Sequence, residues 1–400
     1  MRIQNANDIR KQFFDHFGEE PEVIVRAPGR INLLGEHTDY NEGFVLPAAI
    51  DRAIYLAFSR QDRMQAEVVA VDMQEELISL PWENPNAPEQ GHWAIYPYGV
   101  MQSIRSLYPA LIPGGFRLAY GGNIPGGAGL SSSAAVESGI IFGLNYLFDW
   151  PLNRLEMALL AQFAEQKFVG LQCGLMDMYA SLHGKKDAVL QLDCRTQSHT
   201  YFPLDLGDYE LILFNSNVKH ALVDSAYNQR REACETGVSV LQKAGYDINS
   251  LRDVSIELLD EVRNDLSSEV WKRCTYVIQE NNRVQQICHA LEGNDLKGVG
   301  QLMKETHDGL SLAYEVSCPE LDFLVNAAMD HPGVLGARMM GGGFGGCTLN
   351  LVHREQVDAL AKSLQSQYES AFPLPLSWYH VTPQEGCEII WKKDLEVISY

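Results

Sequence analysis

The residues best suited to chemistry fall in two short stretches. In the first, Gly121-Gly122-Asn123-Ile124-Pro125-Gly126-Gly127-Ala128-Gly129-Leu130-Ser131-Ser132-Ser133-Ala134-Ala135, five glycines and three serines precede an apolar run. Glycines let a backbone approach an anion without a Cβ in the way, and a helix starting near Ser131 would offer unpaired N–H groups and a positive dipole end. The three hydroxyls add donors and a ligand for magnesium. The stretch reads as a phosphate cradle, or more plainly as a Gly-rich turn capped by serine. No lysine follows the glycines, so the GxxxxGK[ST] pattern is absent. The second stretch, residues 29 to 43, sets Arg30, Glu36, His37 and Asp39 between glycines. HExxH is missing, and one histidine with carboxylates is a poor zinc set. A polyol suits these residues better: Glu36 and Asp39 can accept from hydroxyls, while His37 and Arg30 can donate. A solvated polar turn is the plainer alternative.

A third cluster, Gly341-Gly342-Gly343-Phe344-Gly345-Gly346, formally fits GxGxxG. A dinucleotide fingerprint follows a strand and opens a helix, whereas Cys347 to Val352 is strand-like. The expectation is a glycine hairpin that brings backbone close to a ligand or the other domain, or else simple turn geometry.

The elements that must position these stretches are legible from periodicity. Ile9, Phe13, Phe14 and Phe17 mark a helix over 8–17 that Gly18 stops. Glu22 to Ala27 reads as a strand ended by Pro28-Gly29, with further strands at Ala49 to Ser59, Glu67 to Val71 and Glu76 to Leu80. Trp93, Tyr96, Val100, Ile104 and Leu107 share a helical face, and Phe116 to Tyr120 is a strand feeding the glycine loop. Helices are expected at Ala134 to Phe148 and, capped by Asn153, at Arg154 to Phe168. Gly170 to Asp177 is a loop entering a short helix, followed by strands at Ala188 to Leu192 and Leu211 to Phe214. Ala221 to Met329 reads as mostly helical, with breaks at Gly245 and Gly293, before a return to mixed α/β. Two interlocked α/β domains, 1–205 and 206–400, are the simplest partition.

Composition narrows the function. With 31 Lys and Arg against 52 Asp and Glu, the net charge of -21 argues against nucleic acid or anionic lipid as a partner. A polyanion such as ATP would then need backbone N–H groups, a few bases and a divalent cation. Eight cysteines without a CxxC pair suit reduced thiols, and no run approaches the roughly 18 apolar residues of a membrane span. A soluble, cytoplasmic protein is expected.

Three segments in order, Gly29 to Tyr40 with Glu36-His37-Thr38-Asp39-Tyr40, then Pro125 to Ala134, then Gly341 to Gly346, resemble the three signatures of the galactokinase family within the GHMP kinase superfamily. The middle one is shared by mevalonate and homoserine kinases, whereas the first is specific to galactokinases. Phe168-Val169-Gly170, Cys173 to Asp177 and Asn215 to His220 extend the resemblance over the whole length. It implies a fold of two mixed α/β domains with the site in the cleft between them. An uncommon left-handed βαβ unit is expected in the N-terminal domain and a ferredoxin-like arrangement in the C-terminal one. It implies ATP-dependent phosphorylation of the anomeric hydroxyl of galactose by a monomer that needs Mg2+.

The family's roles carry over as expectations. Asp177 would accept the anomeric proton or orient the hydroxyl, and Arg30 would hold Asp177 ionised and balance charge on the phosphoryl group. Glu36, His37 and Asp39 would grip sugar hydroxyls, with Gly174 and Tyr227 completing the pocket. Gly127, Ala128, Gly129, Leu130, Ser131, Ser132 and Ser133 would wrap the ATP phosphates, Trp93 would pack on adenine, and Ser133 with Glu165 would hold magnesium. Unaided by the resemblance, Tyr227 and Trp93 read as core aromatics and Glu165 as a solvated carboxylate. Rival readings are a sugar 1-kinase for N-acetylgalactosamine, arabinose or galacturonate, and a non-catalytic galactose and ATP sensor. Thr38 and the Ser133-Ala134 pair argue for a galactose enzyme.

Overall fold

The computed structural model describes residues 3–73, 76–83, 86–112, 114–218 and 223–393. Lys219, His220 and Ala221, the end of one resemblance segment and the expected start of the helical stretch, lie outside the described residues. In chain order come α1 (Ala6–Phe17), β1 (Val23–Asn32), β2 (Phe44–Val45), β3 (Pro47–Gln61), β4 (Gln65–Ala70) and β5 (Ile78–Pro81). Next are α2 (Ile95–Leu107), β6 (Gly115–Gly122), α3 (Ser132–Leu147), α4 (Arg154–Ala164) and α5 (Met176–His183). Then follow β7 (Ala188–Asp193), β8 (Ser198–Pro203), β9 (Tyr209–Asn215), α6 (Val223–Lys243), α7 (Ile256–Glu261), α8 (Ser268–Glu292) and α9 (Leu296–Asp308). The chain closes with α10 (Pro319–Met329), β10 (Val334–Met339), β11 (Cys347–His353), α11 (Val357–Ala371), β12 (Ser377–Val381) and β13 (Glu388–Lys392).

The first lobe is built on a six-stranded sheet in the order β13-β1-β3-β6-β4-β5, in which β4 and β6 run parallel on either side of the α2 crossover. The second contains a four-stranded antiparallel sheet, β10-β11-β9-β12. With helices between its first and second and between its third and fourth strands, this is the ferredoxin-like order. A small sheet, β2-β7-β8, joins the sugar-like stretch to the middle of the chain. Because β13 pairs with β1, the last described strand belongs to the first lobe's sheet and the chain crosses the cleft more than once.

Local chemistry explains where the elements begin and end. Asn5 accepts from the Asn7 and Asp8 amides to open α1, and Gly18 closes it in the left-handed region. Asn153 and Glu156 form a capping box at α4, but α4 stops at Ala164 and a five-residue π-turn, Glu165–Val169, takes the place of the expected last helical turn. The first long strand does not end at Pro28-Gly29. It passes through them with a register shift between Pro28 and Arg30, a bulge that re-aims the strand, and continues to Asn32. β8 pairs with β7 and has no counterpart in the periodicity reading, because Phe202 is its one buried side chain and Ser198 to Thr200 are polar.

The lobes share one apolar core. Ile31, Leu33 and Leu34 of the first pack with Val284, Met303 and Leu349 of the second, all essentially without exposure. Each such side chain stabilises by on the order of 2 kcal/mol, so the cleft walls are held by a continuous interior. All eight cysteines are free and seven are buried. Among the described residues no helix is long and apolar enough to cross a membrane.

Candidate active site

A cavity of about 420 Å3 opens where the three glycine-bearing stretches meet. It is lined by Arg30, Glu36, His37 and Asp39 from the early turn, Gly127 to Ser133 from the loop, Gly174 and Asp177 from the approach to α5, and Tyr227, Gly341 and Gly342 from the second lobe. A larger hollow of about 910 Å3 lies among Glu19, Glu22, Arg60, Tyr146 and Lys392, by the ends of β1, β3, β13 and α3. It contains none of the residues whose types suggested chemistry.

At the centre, Arg30 grips Asp177 with two parallel bonds, Nε to Oδ1 at 2.8 Å and Nη2 to Oδ2 at 2.9 Å. Its remaining arm, Nη1, donates to the Gly129 carbonyl at 2.6 Å. A bidentate guanidinium–carboxylate pair fixes orientation as well as charge. Asp177 sits in the first turn of α5, where the helix dipole favours a carboxylate. Ser131 donates a short bond to Asp177 Oδ2. Of the three serines that could cap the turn, Ser131 stands at the cap position of α3 in the left-handed region, φ 58°, with no capping bond, because its hydroxyl is spent on Asp177. Ser132, Ser133 and their amides remain at the start of the helix, facing the cavity.

The glycine hairpin β10–β11 closes the loop from behind. A Cβ on Gly341 would lie 3.4 Å from the Gly129 carbonyl, and one on Gly346 would lie 3.4 Å from that of Ala128. With Gly341 and Gly346 both at φ +81°, the backbone of the second lobe can lie against the phosphate-type loop, as the hairpin expectation had it.

The early turn is buried and its polar groups are held from afar. Glu36, 1% exposed, pairs with Arg338 of β10 and accepts from the Gly341 amide at 3.1 Å. Burial raises its pKa, and Arg338 opposes that rise. Arg338, with no exposure, also donates to the Leu33 carbonyl at 2.8 Å. Glu280 of α8 accepts from the Gly35 amide at 2.8 Å and pairs with Arg283. Thr38 donates its hydroxyl to the carbonyls of Gly35 and Phe44, so it braces the turn without facing the cavity. Asp39 is raised to about 6, first by burial and then by the neighbouring Asp177 charge. Gly174 must be glycine for space, since a Cβ there would fall 2.0 Å from Asp39 Oδ2. His37 is lowered to about 3 by burial, against the Gly342 backbone, which as an acceptor from the ring favours its charged form. Its ring packs 5.1 Å from Tyr227 and 4.8 Å from Tyr314.

Two expected site residues fall outside this lining. Trp93, 5% exposed, precedes α2 and packs against Tyr120 and His92 within the first lobe's core. Glu165, 3% exposed, opens the π-turn beside Glu137 of α3. Burial and then Glu165 push the Glu137 carboxyl far up. Arg338, Glu280 and Tyr314 escaped the sequence reading. The one available signal was Arg338 itself, a charged residue in the otherwise apolar run Val334 to Met340.

The two lobes and the cavity between them define a GHMP kinase. Residues 96–185 match the GHMP kinases N terminal domain and residues 287–370 the GHMP kinases C terminal domain. Residues 11–60 match the galactokinase galactose-binding signature. The chain is 37% identical to a galactokinase of Clostridium beijerinckii over 96% of its length and 99% of the relative's, and 40% identical to one of Roseiflexus sp. over 92% and 93%. The crystal structure of Lactococcus lactis galactokinase complexed with galactose superposes with a TM-score of 0.92 at 31% identity, covering 96% of this chain and 99% of that one. This chain belongs to the galactokinase family and is an ATP-dependent sugar kinase.

Proposed function

We propose that the chain transfers the γ-phosphoryl group of ATP to the anomeric hydroxyl of α-D-galactose, giving α-D-galactose 1-phosphate and ADP, the first committed step of galactose catabolism. The observation that carries this reading is the Arg30–Asp177 pair at the seam between the acidic turn and the Gly–Ser loop. The sugar oxygen forms a bond to the γ-phosphorus as the bond to the β-phosphate oxygen breaks, and the hydroxyl proton passes to the Asp177 carboxylate. Such a transfer is mostly positioning and charge stabilisation. Arg30 keeps Asp177 oriented and places a cation beside the group in flight. Asp39 and Glu36 accept from sugar hydroxyls, His37 donates, and Gly174 and Tyr227 shape the wall.

Loop residues Gly127 to Ser133 take the phosphates on backbone amides at the start of α3. Magnesium fits here. Two carboxylates, Glu137 and Glu165, are buried side by side, and burying them together calls for a cation or a shared proton. Ser133 and Glu165 would hold the ion, which when bound neutralises charge on the β- and γ-phosphates. Trp93 is assigned to the adenine side.

The test is ADP release with galactose, glucose, N-acetylgalactosamine, arabinose and galacturonate, each with and without magnesium. Turnover with galactose well above the others and dependent on the metal is the expected result. Preference for another sugar, or none, would overturn it.

A further inference from the structure

Behind the sugar wall runs a buried line of hydrogen bonds for which the phosphoryl transfer has no need. His37 Nδ1 is 2.8 Å from the Tyr40 hydroxyl, which is 2.8 Å from that of Tyr314, which in turn is 3.3 Å from Cys234 Sγ. The first two residues belong to the acidic turn. Tyr314, with no exposure, and Cys234, with 1%, come from the second lobe. We infer that Tyr314 and Cys234 are positioning residues that set the His37 tautomer, with the proton on Nε2 and offered as a donor to a hydroxyl oxygen of the sugar.

The direction follows from counting donors. Run from the thiol inward, S–H donates to Tyr314, Tyr314 to Tyr40 and Tyr40 to Nδ1, so each hydroxyl accepts once and donates once. Run outward, the line must end with Tyr314 donating to the thiol sulfur, a weak acceptor, or to the Arg230 carbonyl at 3.5 Å, the limit of useful distance. At the other end Nδ1 is already engaged, and the buried Nε2 has no hydrogen-bond partner among the described residues, so it is the nitrogen left for a ligand. The setting suits the same tautomer. Asp39 and Asp177 already supply acceptors to a polyol, and a hydroxyl that donates to one of them still needs a donor for its oxygen.

The ring packing of Tyr314, 4.8 Å from His37 and 4.7 Å from Tyr276, would survive loss of the hydroxyl, which makes Tyr314→Phe informative. What Nε2 meets rests on the sugar-kinase reading; the tautomer does not. In 15N-histidine-labelled protein without ligand, the His37 signal, assigned by its loss in His37→Gln, should report Nε2–H and should become a mixture in Tyr314→Phe. The galactose KM of that variant should rise roughly 3- to 10-fold, the worth of one hydrogen bond, with kcat and the ATP KM unmoved. A merely structural role would lower kcat and raise both KM values instead. Cys234→Ser should keep the wild-type tautomer and Cys234→Ala should shift it, and this pair decides the matter if Tyr314→Phe does not fold. An Nδ1–H signal in the wild type, or variants that move neither tautomer nor galactose KM, would overturn the inference. Should the wild type phosphorylate no sugar, the sugar-kinase reading falls while the ligand-free spectrum still judges the relay.

Discussion

The loop at 125–133 and the turn at 35–43 face each other across one cavity, yet they are built by opposite means. In the loop, Gly126, Gly127 and Gly129 are exposed, Gly127 and Gly129 have φ +71°, and the shape is set by local backbone. In the turn, Glu36, His37 and Thr38 are buried, and the stretch from Gly35 to Phe44 is held by groups 237 to 305 residues away: Arg338, the Gly341 amide and the Tyr276 hydroxyl on Glu36, Glu280 on Gly35 and Asn281 on Phe44. A phosphate ligand carries its own charge and asks only for amides, which any well-placed backbone can offer. A neutral sugar asks for particular acceptors and donors held still, and those must be braced by other side chains. Arg30, just ahead of the turn in sequence, ties the loop to α5 through the Gly129 carbonyl and Asp177.

That contrast can be broken in several places. The largest effect is expected on the braced side. Arg338→Met strands Glu36 without its cation, and removing one partner of a buried pair costs about 3–5 kcal/mol. Urea unfolding should show that loss, whereas an equivalent change in the loop should barely register. Next is Arg30→Met, which releases Asp177 from its fork and removes a cation from the reacting group. A fall in kcat on the order of 100- to 1,000-fold is expected in steady-state assays, by analogy with loss of one electrostatic stabiliser.

A glycine pair then sharpens the division of labour. In Gly174→Ala the new Cβ must displace Asp39, and a misplacement of that kind should raise the galactose KM on the order of 100-fold while the ATP KM holds. In Gly127→Ala nothing lies within 4 Å of the Cβ, so the penalty is the left-handed backbone alone, about 1–2 kcal/mol, felt by ATP and not by galactose. If both variants weakened both substrates alike, the two regions would not be separable. The smallest effect is a pH dependence. Asp39, raised to about 6, accepts through both oxygens and with full charge only when ionised, so galactose affinity should fall by up to about tenfold per unit as the pH drops below that value. Calorimetric titrations at pH 5 and 7.5 would show it, and Asp39→Asn should abolish the difference. The same raised pKa works against the fold: stability should decline as pH rises from about 4 to 6, where the unfolded chain has lost the proton and the folded one has not. His37, lowered to about 3, works the other way: between about 3 and 6.5 the unfolded chain holds a proton that the folded ring does not, so its contribution grows as the pH rises, and comparing Asp39→Asn with the wild type separates the two.

The same contrast explains what could be read from the sequence. The glycine loop, the acidic turn and the approach to Asp177 declare themselves because their chemistry is local: residue types and spacing within about a dozen positions. The cavity collects Arg30, Glu36, His37, Asp39, Gly174, Asp177 and Tyr227 with residues 127–133. Most helices were legible for the same reason, through apolar spacing and caps. Strand β1 ran past its Pro-Gly stop because a bulge, set by pairing with β3, absorbs both residues. β8 is defined by its partner β7 and carries little apolar signal of its own. Ser131 could not be told from a helix cap, since its partner Asp177 lies 46 residues on. Arg338 and Tyr314 act through contacts separated by hundreds of residues, and nothing in their neighbours announces those partners.

The most direct test of the account is made on Asp177→Asn, by measuring galactose and ATP binding calorimetrically and following product by 31P NMR in the same preparation. Both ligands should bind with affinities near those of the wild type, and no sugar phosphate should accumulate. A galactose 1-phosphate signal growing at near the wild-type rate would mean that this carboxylate is neither the proton acceptor nor the orienting group.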